Sequence, residues 1–291
     1  MNMNGENRFA IPIRFNGIAG MLLKFIIYMV FISICLIVFI PLISVLITSF
    51  KTFVEMGYSS SLSLPSTFNL ENYKTVLEEG HILIAFKNSL ILVAASVLIN
   101  TLVSSTAAYC ITRFDFRYKK IVMALFILGM MVPHYTTEIA RFSIIRDMGL
   151  YNTLLGPIVL YAAADLMQIY IFKQFMDKIP RSLDESAMID GASYMGIFWK
   201  IIFPLIIPAS ATLAIIKAVI VINDMYIPYL YMPGIKNLTL TTMLMFFNDA
   251  QQGSWNVLSA AIVIVMVPTV IVYVIFQKYI FSGITAGANK G

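Results

Sequence analysis

The chain has 291 residues, 59% of them hydrophobic and only 12% charged, against the roughly 25% charged residues of a soluble domain, which excludes an ordinary water-soluble protein. Its net charge of +5 gives no ground for a nucleic-acid partner, because the excess lysines and arginines lie on one side of the apolar segments. Two cysteines, Cys35 and Cys110, sit inside separate apolar runs and point to neither a disulfide framework nor a metal site.

A helix needs about 20 apolar residues to cross the hydrocarbon core. Residues 1–24 form a basic N-terminal segment, and the uncharged run 25–50 is too long for a signal-peptide core, so it reads as a retained first span. Residues 51–84 read as an external loop, SSSLSLPS followed by a short helix at NLENYKTVLEEGH, capped by Asn69 with Glu71 in its first turn. The second span, 88–112, is rich in Ala, Ser and Thr, which let helices approach closely in a bundle interior. After the basic turn RFDFRYKK come a third span at 121–137, an external turn with Gly149 as helix stop, and a fourth span at 148–172 whose one charge is Asp165. A fifth at 201–223 holds Lys217, and a sixth covers 250–277. Residues 85–281 are thus a five-helix core, 282–291 a polar tail, and the fold class an all-α integral membrane protein with six spans.

With the N-terminus inside, thirteen lysines and arginines fall on the cytoplasmic side and six outside, Lys217 lying within a span. Basic loops stay cytoplasmic, so both termini are expected there.

Between the fourth and fifth spans lies ESAMIDG, Glu185 to Gly191. Ser182 and Glu185 have the spacing of a capping box, Gly191 suits the left-handed residue that ends a helix, and Ser193 can cap a second helix running through Phe198 and Trp199. Two short helices around a glycine elbow are expected, with Leu183, Ala187 and Met188 as an apolar face and Asp184, Glu185 and Asp190 polar. Taken alone, this is also what an interfacial connecting helix looks like.

The longer pattern, E-S-A-x-x-x-G, nine residues, then I-x-F-P ending at Pro204, resembles the EAA motif of binding-protein-dependent ABC importer permeases, with Ser186 and Phe203 as mild departures. NLENYKTVL, NSLILVAAS, AAYCITRFDF, GLYNT, IPRSLDESAMIDGAS and GITAGANKG resemble the maltose and multiple-sugar branch of that family. The resemblance implies a cytoplasmic coupling helix in the loop 180–204. There Ser182, Glu185, Ser186, Ala187, Asp190, Gly191 and Pro204 serve ATPase coupling: Glu185 caps the helix and faces the partner, Ala187 allows close approach, and Gly191 sets the elbow. It also implies a homologous second permease, two ATPase subunits, an extracytoplasmic solute-binding protein, a sugar substrate and a bacterial or archaeal cytoplasmic membrane. The chain itself contains no phosphate-cradling G-x-x-x-x-G-K-[ST], so it needs no cofactor of its own and ATP with Mg belongs to the partner. No catalytic motif accompanies His81 and His134, and His134 could pair with Glu138 at i+4.

Ionisable residues inside spans face a partner or a cavity. Glu138 and Arg141 have the spacing of a local ion pair. Lys217 either pairs with Asp165 or lines a substrate pathway, and Asp224 returns to nearly the same helix face seven residues on. Asn223 and Asp224 stand where related permeases have a W-N-[DE] turn, with Ile222 in place of Trp. Tyr226, Tyr229 and Tyr231 follow, as interfacial anchors or as a substitute stacking surface. The candidate pathway set is Asp165, Lys217, Asn223, Asp224 and Tyr226. The rivals are an ion-coupled secondary transporter using Asp165, Glu138 and Lys217 as its relay, and a membrane scaffold or sensor subunit with no transport.

Overall fold

A computed structural model of the protein describes residues 18–163, 165–250 and 254–288, and among these every regular element is helical. The first seventeen residues and the last three, which hold most of the expected N-terminal segment and part of the tail, lie outside the described residues.

Helix α1 (Ile18–Thr48) has 31 residues; at about 1.5 Å per residue it exceeds a hydrocarbon core of roughly 30 Å. None of its most apolar stretch is buried by the rest of the chain, and it packs only along the last helix among its main neighbours. A helix satisfies its own backbone, so such an exposed apolar rod fits lipid.

The segment 51–84, expected as an external loop, is more built than one, containing α2 (Phe53–Tyr58) and α3 (Glu71–Glu79). The N-cap of α3 is Leu70, with no side-chain cap bond, rather than the expected Asn69, whose Oδ1 still accepts the Glu71 amide at 2.8 Å from one residue before it. Lys51 is fully buried, and its Nζ donates to Ser59 Oγ (3.0 Å), the Ser60 carbonyl (2.6 Å) and Ser63 Oγ (2.9 Å). Burying an ammonium is tolerated when its donors are taken up this way.

Helix α4 (Ile82–Arg113) is the axis of the molecule. It is followed by α5 (Lys119–Met131), a 3₁₀ turn (His134–Thr137) and α6 (Glu138–Asp147). The expected continuous run 121–137 is broken because Pro133 drives Val132 to an extended ψ of 119°. The His134 side chain lies outside the described residues. Gly149 stops α6 with φ +71°, as its sequence position predicts.

The fourth apolar stretch is two helices, α7 (Leu155–Ala162) and α8 (Leu166–Met176). Then come α9 (Ser182–Ile189), α10 (Tyr194–Ile197), a π turn (Phe198–Ile202), α11 (Phe203–Leu205) and α12 (Ile207–Asn223). Pro204 cannot donate a backbone hydrogen bond, and the ladder adjusts by having the Phe203 amide bond Phe198, five residues back. The segment Tyr194–Leu205 meets α12 at 76°. The chain ends with α13 (Tyr226–Tyr231), α14 (Leu240–Ala250) and α15 (Trp255–Ala288). The last helix runs past residue 282, where a separate tail was expected. Among the described residues α1 and α4 are each long and apolar enough to cross a membrane, and two bent pairs, α7 with α8 and Tyr194–Leu205 with α12, reach that length together.

Three buried clusters run along α4: Val76, Met243 and Phe247 around Ala85; Ile145, Tyr161 and Tyr231 around Leu92; and Phe172, Met176, Ile197 and Phe198 around Ala108 and Tyr109. Buried Ser96, Ser104, Ser105 and Ala108 on α4 keep its packing surface against α7 and α8 narrow.

Candidate functional site

The elbow forms from local chemistry. Gly191 has φ +82°, the Gly191 amide bonds the Met188 carbonyl at 3.0 Å and the Ala192 amide reaches back to Ala187 at 2.9 Å. This is the Schellman pattern that closes a helix through a left-handed glycine. Ser193 then caps α10, accepting from the Gly196 amide at 3.2 Å.

The expected capping box is not formed. Ser182 is already the first residue of α9, and Arg181 before it is helical with no side-chain cap bond. The Leu183 and Glu185 amides are taken by the carbonyls of Pro180 and Arg181, so the turn after Pro180 supplies what the box would have. Ser182, Glu185, Ser186, Asp190 and Gly191 are all exposed, as is Pro204. Ala187 is buried in the chain's own cluster with Met176 and Ile197, so the close approach it allows is to α8 and α10. The exposed apolar surface of α9 is Leu183, Met188 and above all Ile189, 87% exposed.

Asp184, read from the sequence only as polar, is buried. Its Oδ2 lies 2.6 Å from Nε of Arg113 at the end of α4, both side chains being almost withdrawn from solvent. Burial pushes the Asp184 carboxyl above the usual range while the Arg113 charge opposes the shift. Arg113 Nη2 also donates to the Ile179 carbonyl, Arg181 Nη2 to the Thr112 carbonyl, each at 3.1 Å, and the Tyr109 hydroxyl to the Tyr194 carbonyl at 3.3 Å. No local pattern marks this set, because its members are 66 to 85 residues apart.

Within the helical bundle, Lys217 Nζ stands 3.4 Å from Asp165 Oδ2, the ion-pair alternative of the sequence. Asp165 lies at the break between α7 and α8 rather than inside a helix, and its Oδ1 caps α8 by accepting the Met167 and Gln168 amides. Asp224 does not share the helix face of Lys217: it follows the end of α12 with ψ 121°. Its Oδ2 accepts the Tyr161 hydroxyl at 2.8 Å, and its Oδ1 accepts the Tyr226 amide at 2.8 Å and that of Ile227 at 3.3 Å, starting α13. Asn223 bonds its own helix at Val219. Glu138 pairs with Arg141 at 3.2 Å as its spacing predicts, and also accepts the hydroxyl of the buried Tyr231 at 2.6 Å. Tyr226 and Tyr229 remain exposed, Tyr229 at the mouth of an apolar cavity of about 400 Å³ with Phe246 and Met245.

The Ala, Ser and Thr of α4 were expected as packing spacers and its asparagines carried no expected role, yet Asn88, Ser89 and Asn100 serve helix breaks. Asn88 donates to the Lys236 and Leu238 carbonyls at 2.9 Å, Ser89 accepts the Leu240 amide at 2.9 Å, and Asn100 donates to the Ala163 carbonyl at 2.7 Å. For Asn100 the signal was an amide-bearing residue deep in an apolar run, whose burial demands a partner.

Comparison with known proteins agrees with this architecture. The family model described as "Binding-protein-dependent transport system inner membrane component" matches residues 100–285, from the middle of α4 through most of α15. The chain is 34% identical over 263 residues to the trehalose/maltose transport system permease protein MalG of Thermococcus litoralis, covering 89% of this chain and 92% of that one. It is 32% identical over 253 residues to the probable starch degradation products transport system permease protein AmyC of Thermoanaerobacterium thermosulfurigenes, covering 86% and 91%. Against the melibiose/raffinose/stachyose import permease protein MelC of Bacillus subtilis, identity is 31% over 255 residues, covering 87% and 92%. The chain therefore belongs to the binding-protein-dependent transport system inner membrane components, the membrane permeases of ABC importers. A crystal structure of a bacterial ABC transporter that imports the acidic polysaccharide alginate shares its fold, with a TM-score of 0.78 over 91% of this chain and 99% of that one at 20% identity.

Proposed function

We propose that this chain is the membrane-spanning permease of an ATP-driven importer for an oligosaccharide or related sugar, in a bacterial or archaeal cytoplasmic membrane. Six spans with both termini cytoplasmic account for the apolar segments and for the distribution of lysine and arginine. The observation that carries the reading is the α9 elbow: an exposed helix surface at Glu185, Ser186, Met188 and Ile189, backed by buried Asp184 and Ala187. Such a helix is shaped to dock on a partner and to move with it. The sugar class rests on the relatives, whose names speak of maltose, melibiose and starch products.

The mechanism is alternating access. ATP, with Mg, binds two ATPase subunits on the cytoplasmic side, and their closure carries α9 and its counterpart on a second permease toward each other. The bundle then turns its cavity outward to a solute-binding protein. Asp165, Lys217, Asn223, Asp224 and Tyr226 are the candidate pathway residues. Lys217 and Asp165 neutralise each other, and Asn223 and Tyr226 are the exposed members of the set.

The test is to purify the tagged chain from its native membrane, identify what accompanies it and assay ATP turnover. An ATPase and a second permease, with turnover disturbed by Gly191→Val, support the reading. A chain that purifies alone and transports in liposomes without ATP overturns it in favour of the ion-coupled alternative.

A further inference from the structure

Successive residues on a helix point about 100° apart, and α9 uses this to divide two adjacent carboxylates. Glu185 faces outward, and Asp184 turns into the protein against Arg113. Arg113 is the last residue of α4, the helix that contributes to all three buried clusters. Its guanidinium lies against Asp184 as a buried ion pair, Nε 2.6 Å from Oδ2 but not aligned as a hydrogen bond, while Nη2 donates to the Ile179 carbonyl. Arg181, just before α9, reciprocates on the Thr112 carbonyl. The segment is thus clamped on α4 from both directions, beside its covalent links to α8 and α10.

We propose that Arg113 and Asp184 are positioning residues that transmit displacement of α9 to α4. Separating a buried pair leaves each charge uncompensated in a low-dielectric interior, so α4 follows α9 more readily than the pair opens. Further along, Asn100 holds the break at Ala163 and Asn88 the carbonyls before α14, so a shift of α4 reaches both breaks. This rests on the reading of α9 as the helix that docks on an ATPase.

The test uses the complex purified from native membrane and placed in nanodiscs. In a Cys35→Ala, Cys110→Ala background, a nitroxide is attached through Ala94→Cys, an exposed position on the outer half of α4. Its spectrum is recorded with and without ATP plus vanadate, and ATPase content is measured alongside. The parent is expected to show a nucleotide-dependent change. Asp184→Asn and Arg113→Gln should each lose it with the ATPase still bound, and the exchange Arg113→Asp with Asp184→Arg should restore it. A parental change in the single variants, failure of the exchange to restore it, or loss of the ATPase from Asp184→Asn would each overturn the proposal, the last by making the pair a docking element. A parent complex with no ATPase at all would instead refute the importer reading itself.

Discussion

Lys51 and Glu55 show how two charges organise the segment between α1 and α4 without pairing directly. Lys51 gathers the loop around its ammonium, and Glu55 Oε1 accepts the Ser66 amide at 2.8 Å and hydroxyl at 2.9 Å. Lys51→Met keeps the apolar stem but removes the charged donor that ties Ser59, Ser60 and Ser63 together. A cost of about 1–3 kcal/mol is expected, visible as a lower Tm in detergent. The Glu55 carboxyl is held below the usual glutamate range, chiefly by the Ser66 amide. A depressed folded pKa contributes stability that is present above the unfolded value and lost as pH falls through the folded one. The Tm difference between the parent and Glu55→Gln should therefore be constant at neutral pH and disappear on acidification below the glutamate range.

At the scale of elements, three of the breaks have a local cause: Pro133 before α6, Pro204 just after the π turn, and Gly191 at the elbow. Each of these residues is visible in the sequence, and the glycine elbow with its Ser193 cap was legible there. The break at Ala163 was not, since Asp165 looked like a charge within a continuous span. What stabilises that break is Asn100 on α4, 63 residues away. Asn100→Ala should remove the bond to the Ala163 carbonyl at the edge of the buried core and cost about 0.5–1.5 kcal/mol. Asn100→Asp, which keeps no donor when ionised, should not recover it. Thermal unfolding of the two variants beside the parent checks this.

For the whole molecule, the Lys217–Asp165 pair joins α12 to the start of α8. An unpaired charge at membrane depth costs about 2.5–3.5 kcal/mol on insertion scales. Lys217→Met alone should reduce the inserted, folded fraction, and addition of Asp165→Asn should recover it while keeping an oxygen to cap α8. Uptake by the recovered double variant then separates structure from pathway: uptake at the parental level makes the pair structural, and loss of uptake places it in contact with the sugar.

Composition and hydrophobic runs were enough to establish a helical membrane protein, because a chain in lipid must satisfy its backbone within each segment. The motif from Glu185 to Pro204 was enough to point to the family, because a capped, glycine-ended helix is encoded by residues close together in sequence. Tertiary structure alone decided which of two adjacent carboxylates faces inward, where the fourth stretch bends, and which charges neutralise each other. Those outcomes depend on Arg113, Asn100 and Asp165 meeting partners 52 to 71 residues away, and burial, which makes such meetings obligatory, is a property of the packed bundle rather than of any window of sequence.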